Sequence, residues 1–165
     1  MIPPELTLRS AEARDVPAVL ALIRELAEYE RAPNDVVATE EGLERVLFGD
    51  RRSAEVVLAL VQDDLVGFAV FFHNFSTWLG RPGLYLEDLF VRPALRGKGY
   101  GRALLEHLAK IAQERSCGRM EWAVLDWNKP AIEFYKKLGA QPINEWTIFR
   151  LTSDGIANLA GTSTT

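Results

Sequence analysis

The stretch Leu84-Tyr85-Leu86-Glu87-Asp88-Leu89-Phe90-Val91 is apolar except for two adjacent carboxylates, and after four more residues Arg96-Gly97-Lys98-Gly99-Tyr100-Gly101 opens an amphipathic segment. From Gly99 to Arg115 that segment carries Leu104, Leu105, Leu108, Ile111 and Ala112 on one side at helical spacing. A buried strand that leads through glycines into a helix belongs to a sheet covered by helices, since strand and helix stripe must both leave water.

The flanking segments supply the rest of that sheet. Leu6 to Arg9 alternates apolar and polar like a short strand. Asp15 and Pro17 read as the N-cap and first-turn proline of a helix in which Val16, Val19, Leu20, Ile23, Leu26 and Ala27 recur to about Glu30. Thr39 is expected to cap a second helix with Leu43, Val46 and Leu47 inside. Val56 to Val61 and Leu65 to Phe72, joined at Asp63-Asp64, predict a hairpin. After Gly118, Met120 to Leu125 predicts a strand, Pro130 to Leu138 a helix closed by Gly139, and Trp146 to Leu151 a last strand. The small polar residues beyond Thr152 predict a loosely held tail over 152–165. Neighbouring strands followed by alternation with helices give an α/β (α+β) class, with one mixed sheet and helices on both faces. At 165 residues, 48% hydrophobic and 25% charged, one domain spanning 1–165 is expected.

Several function classes are disfavoured by composition. Cys117 is the single cysteine, and His73 and His107 are far apart, so neither an internal disulfide nor a metal site is expected. The start, Met1-Ile2-Pro3-Pro4-Glu5, lacks a basic region followed by an apolar run, and no later segment is apolar enough to cross a bilayer, so a cytoplasmic protein is expected. A net charge of -4 leans away from nucleic acid and towards a cationic ligand.

Glycines let backbone N–H groups approach a ligand, and a helix N-terminus adds unpaired donors, so the segment at 96–102 suits a pyrophosphate, with Arg96, Lys98 and Arg102 adding charge. A P-loop would need Ser or Thr after Lys98, where Gly99 stands. A dinucleotide fingerprint would need glycine at Arg102. A tight strand-to-helix turn without a ligand is the remaining alternative.

Arg96-x-x-Gly99-x-Gly101 after this strand resembles the acetyl-CoA-binding motif of the GNAT superfamily of N-acetyltransferases. The likeness runs from Leu6 to Leu151. Within the superfamily, Leu84 to Val91, Arg96-Gly97, Trp127-Asn128, Phe134-Tyr135-Lys136 and Glu25-Leu26-Ala27-Glu28-Tyr29-Glu30 resemble the spermidine/spermine and thialysine N-acetyltransferase branch. The resemblance implies acetyl-CoA as co-substrate, held by Arg96, Gly97, Lys98, Gly99, Tyr100, Gly101, Arg102, Asn128 and Tyr135 and by main-chain N–H groups at Phe90 and Val91. It also implies a homodimer, while no metal, nucleic-acid or membrane partner is expected from the composition above.

A primary alkylamine is protonated at neutral pH and must lose a proton before it attacks a thioester. Glu87, in an apolar strand with a carboxyl expected to be raised by desolvation, is the candidate base, directly or through one water; the alternative is a side chain that only points into solvent. Tyr135 is implied as the acid that protonates the leaving thiolate, and from spacing alone reads as a core tyrosine beside Ile132 and Leu138. Asn128, two residues before Pro130, reads as a helix N-cap as well as a cofactor contact. On the amine side the candidates are Glu25, Glu28, Glu30, Glu87, Asp88 and Trp78. The helix glutamates read equally as an exposed face paired with Arg24 and Arg31, and Trp78 as ordinary core. The loop from His73 to Leu79 departs from the branch, so the expected amine extends from polyamines and diamines to thialysine-like amino acids. The rivals are a non-catalytic coenzyme A-binding regulatory module, a GNAT enzyme acting on another amine or a protein, covalent chemistry at Cys117, and a structural interaction protein.

Overall fold

The computed structural model describes residues 3–162, so expectations for Met1-Ile2 and for the tail beyond Thr162 lie outside the described residues. The chain divides into two compact units, Met1–Ala123 and Val124–Thr165.

The first unit is built on a five-stranded sheet in the order β1-β2-β3-β4-β5: β1 Leu6–Ser10, β2 Glu55–Val61, β3 Asp64–Ser76, β4 Arg81–Val91 and β5 Met120–Trp122. The first four strands are antiparallel neighbours and β5 runs parallel to β4, giving the mixed sheet expected. On one face lie α1 (Val16–Tyr29) and α2 (Glu40–Phe48), where Val19, Leu22, Leu26 and Leu47 close over Val56, Leu58, Phe68 and Phe90. Directly paired residues share a face, so Leu58, Phe68 and Phe90 form one row across three strands. The alternate residues Val57, Ala59, Ala69, Phe71 and Leu86 are buried on the other face, which α3 (Tyr100–Glu114) packs against through its Ala103, Leu104, Leu105 and Leu108 side.

Local chemistry sets the ends of these elements. Thr39 Oγ1 accepts from the Gly42 N–H at 3.1 Å and caps α2 as expected. Asp15 does not cap α1 through its side chain. A short 3₁₀ turn, Ala13–Asp15, precedes the helix, and the Asp15 carboxylate accepts from the Glu12 N–H at 2.8 Å and from Arg9 at 2.6 and 2.8 Å. This drops its pKa to about 2.

In the second unit, α4 spans Lys129–Lys137 and α5 spans Ser153–Leu159. Two sequence expectations are corrected there and one at its border. The strand foreseen at Met120–Leu125 stops at Trp122, because the Leu125 carbonyl accepts from the Asn128 N–H at 2.8 Å and closes a turn. Trp146–Leu151 forms no strand among the described residues, although its apolar and β-branched composition suits one. Part of the expected loose tail is helical, with Thr152 Oγ1 accepting from the Gly155 N–H at 3.3 Å to start α5.

Candidate active site

The ladder between β3 and β4 is broken at one place. Val70 lies opposite Asp88 while Phe71 lies opposite Leu86, so Glu87 has no partner on β3 and forms a bulge. The extra residue changes the parity of the strand. Tyr85, opposite Phe72, and Asp88, opposite Val70, face the α1 side together although three positions separate them. Glu87 is exposed at the bulge, and its charge acts on both neighbours. The burial expected for Glu87 is therefore found one residue further on. Asp88 is half-buried, and desolvation, with the charges of Glu87 and Glu30, pushes its carboxyl up to about 6. Desolvation, Glu87 and Glu121 likewise raise the Tyr85 phenol, whose ring lies 5.0 Å from that of Phe72. Glu121 pairs with Arg119 at 2.9 Å and accepts from Asn74 Nδ2 at 3.1 Å.

The α1 glutamates divide into different roles. Glu25 is taken by Arg92, whose Nε and Nη2 donate to its two oxygens at 2.9 and 2.8 Å while Nη1 donates to the Leu65 carbonyl at 2.6 Å. It thus ties α1 to the β4 exit. Glu28 is exposed. Glu30, just past the end of α1, stands at the surface, yet protein around its carboxyl partly excludes water and raises its pKa. Of the three, only Glu30 acts on Asp88.

In the glycine segment Gly97 and Gly99 have φ of 81° and 87°, a region closed to most side chains, and Gly99 sits at the N-cap of α3 with no side chain over the first turn. Backbone donors at the start of α3 are thereby presented as an anion cradle requires. Apart from Lys98, the charged and aromatic side chains of the segment make contacts within the protein. Arg96 turns back, stacking 4.1 Å above the Tyr29 ring and donating from Nε to the Val91 carbonyl at 2.9 Å. Arg102 pairs with Glu106 at 2.7 Å. Tyr100 is buried with its hydroxyl on Glu5 at 3.0 Å. Lys98 is exposed, and so are Gly97 and Gly99; Gly101 is partly covered.

β4 pairs with β5 only over Leu84–Leu86, so the β5 side of the strand from Glu87 to Val91, including Phe90 and Val91, has no ladder among the described residues. An extended amide-bearing chain such as a pantetheine arm could add there. Trp78 lies near the β3–β4 turn, 91% exposed and roughly 20 Å along β4 from Glu87 at a strand's rise per residue, which separates it from the carboxylates within one chain. In the second unit Asn128 Oδ1 accepts from the Ala131 N–H at 3.4 Å, so the capping role is realised. Tyr135 is half-buried on α4 with its ring 5.4 Å from Phe134.

Sequence reasoning did not single out Tyr85, Phe72, Glu121 or Tyr29. The first two stood in strands read only as apolar, and which face they share depends on the bulge. Among the described residues no group of three or more His, Cys, Asp or Glu is arranged to hold a metal, and no helix is long and apolar enough to cross a membrane.

The profile of the Acetyltransferase (GNAT) family matches residues 20–140. A thialysine N-epsilon-acetyltransferase of Bos taurus is 38% identical, covering 93% of this chain and 96% of that protein. An L-ornithine N5-acetyltransferase of Arabidopsis thaliana is 34% identical over 90% of this chain and 85% of its own. Among solved structures, an integron cassette protein from Vibrio cholerae superposes with a TM-score of 0.80 at 30% identity, covering 96% of this chain and 99% of that one.

Proposed function

The chain belongs to the GNAT family of acetyltransferases and is an N-acetyltransferase, and from that premise we propose that it moves the acetyl group of acetyl-CoA onto the primary amine of a small cationic metabolite. The amine class is a diamine, a polyamine or a thialysine-like amino acid. The observation that carries this is the bulge at Glu87, which brings Asp88 and Tyr85 onto one face of β4 within reach of the charges of Glu87 and of Glu30 just past the end of α1. Negative charge beside an aromatic ring suits an alkylammonium and repels anions. Relatives named for thialysine, ornithine and, at 34% identity, as spermidine/spermine N(1)-acetyltransferase-like act on, or are named for, amines of this description.

In this proposal the pyrophosphate of acetyl-CoA rests on the backbone donors from Gly97 to Gly101, and its pantetheine arm runs along the open side of β4 at Phe90 and Val91. A backbone N–H there polarises the thioester carbonyl. The amine gives a proton to a carboxylate of the Glu87–Asp88 pair and attacks directly in a ternary complex, and the Tyr135 phenol protonates the departing thiolate. The protein works as a cytoplasmic homodimer.

Thiol release from acetyl-CoA, followed with spermidine, spermine, putrescine, thialysine, ornithine, lysine and a basic peptide, tests the proposal. Turnover with a small amine and little with the peptide is the expected result. Transfer to the peptide alone would overturn the substrate class, and tight acetyl-CoA binding without transfer to any amine would favour a regulatory module.

A further inference from the structure

We infer that Arg119 and Glu121, at the β5 edge of the face that carries Asp88, read an α-amino-acid head group, so that the preferred substrate is an α-amino acid whose side chain ends in the amine to be acetylated. The inference rests on the acetyl-transfer reading above and narrows its substrate class.

The strand register places the pair. Glu121 lies beside Tyr85, and Tyr85 beside Phe72, so the three share the face of the sheet on which Asp88 stands. Arg119 comes two residues before Glu121, and its carbonyl accepts from the Leu84 N–H at 3.0 Å, which carries the parallel register one step beyond the start of β5. Its side chain lies over Gly83. A Cβ there would stand 3.3 Å from Arg119 Cγ and would overlap Asn74 Oδ1, so the missing side chain makes the space that both occupy. Arg119 Nε approaches Glu121 Oε2 to 2.9 Å, and Asn74 Nδ2 donates to the same oxygen at 3.1 Å. Among the described residues, Glu121 Oε1 and the two Nη groups of Arg119 therefore have no protein partner. Both side chains keep part of their surface open to solvent, 39% for Arg119 and 25% for Glu121.

The two ends of this face differ in charge. At the bulge stand Glu87 and Asp88, with the charge of Glu30 acting on Asp88, and among the described residues no Lys, Arg or His forms an ion pair with any of the three. The β5 end instead holds one charge of each sign. A second ammonium, as in a diamine, gains little from a pair that is already neutral, and the guanidinium repels it. A head group that is itself a zwitterion complements both charges, its carboxylate on the Arg119 Nη donors and its ammonium on Glu121 Oε1, without breaking the pair. Tyr85 lies between the ends, since the charges of Glu87 and Glu121 both act on its phenol, and with the Phe72 ring 5.0 Å away it offers an apolar surface to an alkyl chain. Val70 and Phe72 are two residues apart on β3, so the positions of Asp88 and Glu121 are separated by roughly 7 Å along the strands and about 5 Å across them, a distance matched to the side chain of ornithine or lysine.

The test compares kcat and KM for ornithine, ornithinamide and putrescine in the wild type, Arg119→Ala, Arg119→Lys and Glu121→Gln. Ornithinamide keeps both ammonium groups and loses only the negative charge, and putrescine loses the whole carboxylate. Circular dichroism and calorimetric binding of acetyl-CoA report on the fold and on the first substrate. The wild type is expected to prefer ornithine to ornithinamide by roughly 10–100-fold in kcat/KM, mostly through KM, and to acetylate the side-chain nitrogen. In Arg119→Ala that ratio is expected to fall close to one, and in Arg119→Lys, which keeps the charge and loses the fork, to an intermediate value. Glu121→Gln is expected to raise KM for ornithine and ornithinamide by the same factor. An equal loss on ornithine and ornithinamide in Arg119→Ala would show that the arginine only supports β5, and would overturn the assignment. Should neither Arg119 variant fold, the wild-type ratio decides: a value near one, a preference for putrescine, or acetylation of the α-nitrogen would overturn the inference while leaving acetyl transfer intact. Absence of transfer to any amine by the wild type would overturn the acetyl-transfer reading and this inference with it.

Discussion

Replacing Arg92 by alanine removes the two hydrogen bonds to Glu25 and the 2.6 Å bond to the Leu65 carbonyl, the contacts that fasten the last turns of α1 to β3 and the exit of β4. The two side chains keep 39% and 36% of their surface exposed, so the ion pair is worth a surface value of about 0.5–1 kcal/mol, despite its bidentate geometry. The carbonyl bond adds about 1 kcal/mol. For a chain of this size the sum, roughly 1.5–2 kcal/mol, lowers Tm by roughly 3–8 °C. Differential scanning calorimetry of wild type, Arg92→Ala, Glu25→Gln and the double variant reads the loss, and the cycle isolates the pair. A fall below about 1 °C for Arg92→Ala would refute the strut. The same variants decide between strut and substrate ligand: Glu25→Gln is expected to lower Tm and leave the amine KM unchanged, and a several-fold rise in KM at constant Tm would return Glu25 to the amine side.

Three further outcomes follow from the geometry. A Cβ at Gly67 would overlap the Phe90 carbonyl oxygen and crowd Val91 Cα at 3.1 Å, so Gly67→Ala is expected to cost about 1–3 kcal/mol and to weaken acetyl-CoA binding, both read from urea unfolding and calorimetry; unchanged affinity would disconnect Phe90 and Val91 from the pantetheine arm. Tyr135→Phe is expected to slow acetyl transfer about tenfold or more with nearly constant acetyl-CoA affinity, and unchanged kcat would reject the acid role. Asp88, raised from 3.8 to about 6, is protonated in both states below about pH 4; above it the folded protein holds the proton longer than the unfolded chain, so stability falls as pH rises towards 6 and the deficit persists at pH 7. Asp88→Asn is therefore expected to raise Tm at pH 7, by at most about 3 kcal/mol of stability, and to match the wild type near pH 4. A variant equally stabilised at both pH values would show that packing rather than charge is responsible.

Most of the sheet was legible because its strands carry short apolar runs bounded by turn residues and its helices carry period-3.6 stripes, several of them bounded by Thr39, Asn128 or glycine. The hairpin of β2 and β3 and the strand-to-helix turn at 96–101 follow from residues next to one another. Trp146–Leu151 misled for the opposite reason. Its composition suits a strand, but a strand exists only where a neighbour accepts its ladder, and sequence does not say which edge is available. The site was legible in identity and not in environment. Glu87 and Asp88 stand side by side in sequence, and only the register break at Val70 and Phe71 decides which one water reaches. Long charged side chains were the least legible: Arg92 finds Glu25 across 67 positions, and Arg96 turns away from the loop it was expected to charge.

The Arg96 guanidinium, stacked on Tyr29 and bonded to the Val91 carbonyl, belongs at once to the glycine segment, the end of α1 and the exit of β4. One side chain thus spans the parts assigned to acetyl-CoA and the helix end that leads to Glu30. In the proposed arrangement a shift of the glycine segment on filling its cradle would reach Tyr29 through this side chain, and by linkage it would couple the affinities for the two substrates. Drift at position 29 would then retune cofactor and amine together, and a lineage that changes its preferred amine through the end of α1 must re-balance its hold on acetyl-CoA in the same step.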